Sequence, residues 1–371
     1  MTDSPIRVTI VDDSVVVRGL FSRWLAAHAD IEIAGIHRNG LEAVRQIAHV
    51  RPDVVILDIE MPEMDGLTAL PLLLEASPGS KVLVVSGMSA RAADLTLRCI
   101  MRGAVDFLAK PSTMLESGSL DDFRIALMER VRAVSAPRSS GRALTGAGGN
   151  AQGSDSPDTT APAPRVVRHG KGRPFVSRPE VIVIGASTGG PPAIAELLRL
   201  IGPVVAVVPV VVAQQMPASF SSLFADLIAR QSGLATHEIG DGGVLAPGMV
   251  HICRGGSDLI LDRDGGHLIA RLSGVGQASF GKPSLDLLFS SAAKACGAAA
   301  IGVVLTGIGR DGAAGSADIA RYGGEVIVQD EASSVVWGMP GAVLQAGVAA
   351  DALPIAGIAA RLTQRMPATA S

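Results

Sequence analysis

The chain has 371 residues, more than one core of ordinary size needs, so two domains joined by a tether are the first expectation. Hydrophobic residues make up 48% of it and charged residues 18%, which excludes disorder throughout. A formal net charge of −3 gives no global support to phosphate neutralisation, so nucleic acid is not expected as a partner. Cys99, Cys253 and Cys296 are scattered, with no CxxC pair and no zinc spacing, and read as buried small hydrophobes in a reducing compartment. No basic segment followed by an apolar stretch opens the chain. The longest apolar run, from Val204, reaches about ten residues against the roughly 20 of a membrane helix, so a cytoplasmic protein without membrane insertion is expected.

From Ile6 to Val134, short β-rich runs alternate with longer helical patterns: IRVTIVDD, then VVVRGLFSRWLAAH, IEIAGIHRN, DVVILDIE, KVLVVSG and DFLAKP. This rhythm predicts an α/β doubly wound, flavodoxin-like parallel sheet. Between 135 and 179 the composition turns to Ser, Gly, Ala, Pro and Thr, with seven Arg or Lys against two acids, which predicts a flexible linker. The alternation then resumes with VIVIGAS, a helix carrying Ile194, Leu197, Leu198 and Ile201, then VPVVVAQ, AAIGVVLTG and EVIVQD. A second α/β domain with a mainly parallel sheet is expected over 180–365.

In the first domain the expected strand ends carry Asp12 and Asp13, Asp58, Ser86 and Lys110. Carboxylates gathered at one edge repel one another unless a hard cation sits among them, and the oxygen-only donor set predicts Mg²⁺. Asp58 could then attack a phosphoryl donor, with Ser86 and Lys110 holding the product's oxygens. VDDS, LDIEMPEMDG, VVSGM and LAKP, over about 5–123, resemble the response-regulator receiver domain. The resemblance implies phosphorylation of Asp58 by a histidine kinase, with Asp13, Asp58 and the backbone carbonyl of Glu60 holding Mg²⁺ and Asp12 assisting.

In the second domain Ser187 stands where VIVIGASTGGPP leaves a strand for a helix. Gly185, Gly189 and Gly190 there leave room for a substrate carbonyl. The pattern suits a nucleophile, a phosphate cradle, or a plain Ser or Thr N-cap. LTGIGRDG delivers Asp311, which could orient a base, coordinate an ion or form an Asx turn. GASTGG, LTGIGRDGAAG and DEASSVVWGMP, in that order behind a receiver, resemble the chemotaxis protein-glutamate methylesterase family. That family implies a serine hydrolase, with no cofactor in the hydrolase domain, that demethylates glutamates and can deamidate glutamines on the cytoplasmic helices of chemoreceptors. Ser187 would be the nucleophile, Asp311 the orienting carboxylate and the Ile308 N–H part of the oxyanion hole, with the receiver covering the site until Asp58 is phosphorylated.

The family's general base is the histidine of a Gln-His-Met-Pro motif, and here AQQMPASF puts Gln215 in its place. An amide accepts no proton near neutral pH, so Gln215 is not a base. His237, His251 and His267 are candidate replacements. CRGGSD also sets Asp258 where the family has a histidine, and KPSLDLLF keeps Pro283, Ser284 and Asp286 with Lys282 for arginine. The alternative to a working esterase is a receptor-binding module or a drain for the kinase's phosphoryl groups. A transcriptional regulator would need a helix-turn-helix and a basic face, and the second domain shows repeated strands instead.

Overall fold

A computed structural model describes residues 4–111, 117–136, 178–274 and 281–366; the expected linker falls, from 137 to 177, outside the described residues. The first unit runs β1 (Ile6–Val11), α1 (Val15–Ala26), β2 (Ile31–His37), α2 (Gly40–Val50), β3 (Val54–Asp58), α3 (Gly66–Ala76), β4 (Lys81–Ser86), α4 (Ala90–Met101), β5 (Asp106–Ala109) and α5 (Ser117–Ser135). Its strands pair in parallel in the order β2-β1-β3-β4-β5. The central strand β3 is buried at every residue, as two-sided helix cover requires. Ile10, Ile56 and Val85 meet Phe21 and Phe123 on one face, while Leu57 and Val84 meet Leu70 and Leu97 on the other. Ser14, Asn39 and Ser89 cap α1, α2 and α4 by accepting from backbone N–H groups in the first turn.

The second unit continues with β6 (Val181–Ala186), α6 (Gly190–Leu200), α7 (Gly202–Val205), β7 (Val210–Gln214), α8 (Ala218–Ser232), β8 (Thr236–Glu238), β9 (Val250–Ile252), β10 (Asp258–Asp264), β11 (His267–Ser273) and α9 (Leu285–Cys296). It ends with β12 (Ala300–Val304), α10 (Ala313–Arg321), β13 (Glu325–Gln329), α11 (Gly338–Gln345), β14 (Asp351–Leu353) and α12 (Ile355–Gln364). Seven strands pair in parallel in the order β14-β13-β12-β6-β7-β9-β8, and β10 and β11 form a separate antiparallel hairpin. From β6 the chain first builds outward through β7 and then returns to build the other way through β12. The switch point, where an open α/β sheet leaves a crevice at its carboxyl edge, lies between β6 and β12. No helix among the described residues is long and apolar enough to cross a membrane. Cys99 and Cys253 are buried and Cys296 is half-buried, all as free thiols.

Candidate functional site

At the carboxyl edge of the first sheet, Asp12 and Asp13 follow β1, Asp58 ends β3, Ser86 ends β4 and Lys110 follows β5. One oxygen each from Asp12, Asp13 and Asp58 fits within 4.8 Å of the others. Lys110 Nζ bridges Asp12 Oδ2 at 2.8 Å and Asp58 Oδ2 at 2.9 Å. Burial pushes the Asp58 carboxyl up to about 6; the Lys110 ammonium opposes the shift and the Asp12 carboxylate adds to it. Burial alone would lower the Lys110 ammonium, but the carboxylates of Asp58 and Asp12 outweigh it and hold its pKa above the ordinary lysine value. Three crowded carboxylates served by one ammonium form an oxygen-only donor set that fits a small divalent cation. Val15 and Val16, which open α1, and Met88, two residues past Ser86, are exposed.

Ser187 follows β6 at the switch point and is 7% exposed. It caps no helix. The N-cap of α6 is Gly189, at a φ of 77° that a side chain adopts only with strain, and it makes no side-chain cap bond. The turn is held from both sides: Ser187 N donates to Thr306 O at 3.0 Å, Gly190 N to Ser187 O at 2.8 Å, and the buried Gln214 Nε2 to Ser187 O at 3.0 Å. A Cβ on Gly190 would sit 1.9 Å from Gln214 Oε1, and one on Gly307 would sit 3.0 Å from Ser187 Cβ, so glycine lets these segments close around the serine. Gly307 itself is pinned by donation from its N–H to Val336 O at 3.0 Å and by acceptance from Met339 N at 3.0 Å. Among the described residues, neither the Thr188 nor the Ile308 N–H has a hydrogen-bond acceptor.

Asp311 accepts five hydrogen bonds and only one, from Gly312 N at 3.0 Å, is local as an Asx turn would be. Ser284 Oγ, Leu285 N and Asp286 N bring the N-terminus of α9 to the carboxylate at 3.2, 2.8 and 3.0 Å. The fifth donor is Gln215 Nε2, at 2.9 Å from Asp311 Oδ2, and the same nitrogen donates to Gly281 O at 3.0 Å. Both amide protons of Gln215 are thereby spent, and its N–H occupies the place from which an imidazole would address the carboxylate. Asp286 accepts from Gly315 N at 2.7 Å, and burial, with Asp311 alongside, raises its carboxyl above the ordinary range.

The candidate replacement bases sit elsewhere. His251 is level with Val211 in the sheet, four residues short of Gln215; its Nε2 lies 3.2 Å from the backbone of Ala246, and burial lowers its pKa to about 4. His237 pairs with His251 at the sheet edge, and His267 pairs with Asp264 at the tip of the β10–β11 hairpin. Asp258 is engaged structurally, accepting from Ser284 N at 2.9 Å and facing Lys282 Nζ at 3.3 Å.

Comparison with known proteins agrees with this architecture. The family model for the response regulator receiver domain matches residues 8–116, and that for the CheB methylesterase matches residues 182–362. A protein-glutamate methylesterase/protein-glutamine glutaminase from Nitrobacter hamburgensis is 40% identical over 363 residues, 97% of this chain and 94% of the relative. The chain belongs to that family. A second member, from Rhodopseudomonas palustris, is 41% identical over 359 residues, 95% of this chain and 92% of its own. Of solved structures, the CheB methylesterase catalytic domain of Thermotoga maritima is 33% identical, with a TM-score of 0.48 over 50% of this chain and 98% of that one.

In this member of the methylesterase family the receiver touches the serine turn directly. Thr188 Oγ1 donates to Asp106 Oδ2, which also pairs with Arg130 Nε at 3.0 Å, and Gly189 N donates to Val105 O at 3.1 Å. Phe107 of β5 stacks on Phe220 of α8 with centroids 4.6 Å apart, and Val336, whose carbonyl holds Gly307, packs against the receiver core, as Val105 does. None of these contacts is foreshadowed in the sequence. Asp106 and Thr188 are 82 residues apart, and each looks like an ordinary strand or turn residue by itself.

Proposed function

We propose that this chain is a phosphorylation-regulated chemotaxis protein-glutamate methylesterase that hydrolyses the methyl esters of chemoreceptor glutamates, and deamidates receptor glutamines, through Ser187. One observation carries the reading: Gln215, which follows the strand paired with the one that ends before Ser187, donates to Asp311 at 2.9 Å, and among the described residues the Thr188 and Ile308 N–H groups beside this edge have no acceptor. The Ser187 hydroxyl attacks the ester carbon, the oxyanion is met by the Ile308 N–H with the Thr188 N–H beside it, the C–O bond to the methoxy group breaks as that oxygen takes a proton from solvent and leaves as methanol, and water then releases the acyl group. Asp311 and Gln215 hold the geometry but take no proton, so the serine proton passes to solvent. A missing general base costs about 10² to 10⁴ in rate, while the oxyanion hole and binding retain roughly 10³ to 10⁴ over water. Turnover is slow in this reading.

At the receiver, Asp58 is the acceptor: its carboxylate oxygen bonds to phosphorus as the histidine kinase's imidazole nitrogen departs, and Lys110 steadies the phosphoryl oxygens. Asp12, Asp13, Asp58 and the Glu60 carbonyl would hold Mg²⁺, which when bound supplies positive charge against the phosphoryl oxygens. The contacts of Asp106 with Thr188 and Val105 with Gly189 support control of the serine turn by the receiver. To swing its balance from 1:99 to 99:1, phosphorylation must favour the open form by about 5.5 kcal/mol.

Gln215 supports a second reading, a receptor-binding module or phosphoryl drain, because its amide, committed to Gly281 O and Asp311, cannot serve Ser187 as a base. Methanol release from methylated receptor fragments separates the two. The esterase reading expects slow release that increases on phosphorylation and is lost in Ser187→Ala. No release from a phosphorylated sample, with receptor adaptation intact in cells carrying Ser187→Ala, establishes the binding module instead.

A further inference from the structure

The Ser86 hydroxyl has one proton, and elimination fixes where it goes. Thr96 Oγ1 on α4 lies 2.6 Å from Ser86 Oγ and 2.7 Å from the carbonyl oxygen of Ala92. A carbonyl only accepts, so the Thr96 proton goes to Ala92, and Ser86 must be the donor to Thr96. The Gly87 carbonyl, at 3.5 Å, is too distant to compete. Ser86 is 1% exposed and Thr96 fully buried, so bulk water does not share the bond. Ser86 therefore cannot donate to a phosphoryl oxygen on Asp58 without releasing Thr96.

Thr96 is also where the acidic pocket grips the helix on which the methylesterase domain rests. Ser86 ends β4, and its carbonyl accepts from Lys110 N at 2.7 Å. On α4, Leu97 and Ile100 belong to the same apolar cluster as Ile194 and Leu198 of α6 and Phe220 and Phe224 of α8.

We propose that Thr96 is a positioning residue that parks the Ser86 hydroxyl on α4 in the uncharged receiver, so that phosphorylation of Asp58 draws that donation away and unfastens β4 from α4. The inference rests on Asp58 being the phosphorylated residue. The exchange is favourable in direction, because a hydroxyl bonded to an anion is held more strongly than one bonded to a neutral hydroxyl. Thr96 keeps its own bond to Ala92 throughout.

The test uses the full chain and beryllofluoride with Mg²⁺ as the phosphoryl mimic, its affinity read from the ¹⁹F NMR signal of the bound anion. Thr96→Val keeps the shape and removes the acceptor, leaving the Ser86 proton without a partner until the anion arrives; about tenfold tighter binding is expected. Thr96→Ser restores the acceptor and should bind as wild type does. In a Ser86→Ala background the Thr96→Val gain should disappear, which a general loosening of α4 would not produce. Without the mimic, hydrogen exchange at α4 amides should rise in Thr96→Val and stay at the wild-type level in Thr96→Ser. Equal affinity of wild type and Thr96→Val, or a gain that survives in Ser86→Ala, overturns the inference. If Asp58→Asn binds as tightly as wild type, the assignment of Asp58 fails and this inference falls with it.

Discussion

Replacing Gln215 by histidine should convert a poised site into a fast one. Gln215 Nε2 lies 2.9 Å from Asp311 Oδ2, and Asp311 is held in place by four further donors. An imidazole in the same place gives its Nδ1–H to Asp311 and keeps Nε2 free to accept the Ser187 proton. If Ser187 is the nucleophile and Asp311 the orienting carboxylate, as proposed, the base should contribute about 10² to 10³ in rate, or about 3–4 kcal/mol of barrier. The Gly281 carbonyl loses its donor, at a cost of about 1 kcal/mol and a few degrees of thermal midpoint. Single-turnover methanol release from methylated receptor fragments measures the gain. A new rise in rate with pH near about 6.5 would mark the imidazole as its source. If NMR shows the new imidazole bonded to Asp311 but release stays within about threefold of wild type, the serine is not placed to attack and the reasoning fails.

The Asp58 carboxyl, raised by burial to about 6, keeps its proton in the folded protein across a range where the unfolded chain has lost it, so its contribution to stability is greatest in acid and is lost as pH rises to about 6. Asp58→Asn should therefore stabilise the receiver by about 1–2 kcal/mol at pH 8, less than the shift alone implies because Lys110 loses a partner, with the gain gone near pH 4; urea melts at both pH values check this. Thr188→Val removes the hydroxyl that Asp106 receives while sparing Ser187, and should speed fluorophosphonate labelling of Ser187 in the unphosphorylated chain; an unchanged labelling rate would mean that the receiver does not restrain the turn. Gly190→Ala drives a methyl into Gln214 Oε1 and should cost about 1–3 kcal/mol in thermal unfolding together with Ser187 labelling, whereas a wild-type melt would show that Gln214 yields easily.

What could be read in the sequence was whatever lay at the end of a long apolar run. Asp58, Ser86, Lys110, Ser187 and Gln215 each stop or follow a strand of four to six residues, and parallel topology then brings them to the edge of their own sheet. Strands β8, β9 and β14, of three residues each, carry too little pattern to declare themselves, and the β10–β11 hairpin interrupts the helix-strand alternation. Ser187 reads equally well as a cap, and Gly189 taking that position removes the cap reading. That Asp311 would be seated on the N-terminus of α9 is set by packing across some 25 residues of chain, which no local spacing encodes.

Because Val105 lends its carbonyl to the N–H of Gly189, the receiver supplies part of the backbone scaffolding of the methylesterase domain. Excising it would not simply lift a cover: water would have to inherit a hydrogen bond two residues from the serine. Chimeras that exchange one receiver for another should accordingly be judged by whether the graft preserves that carbonyl, and their activities compared only among junctions that do.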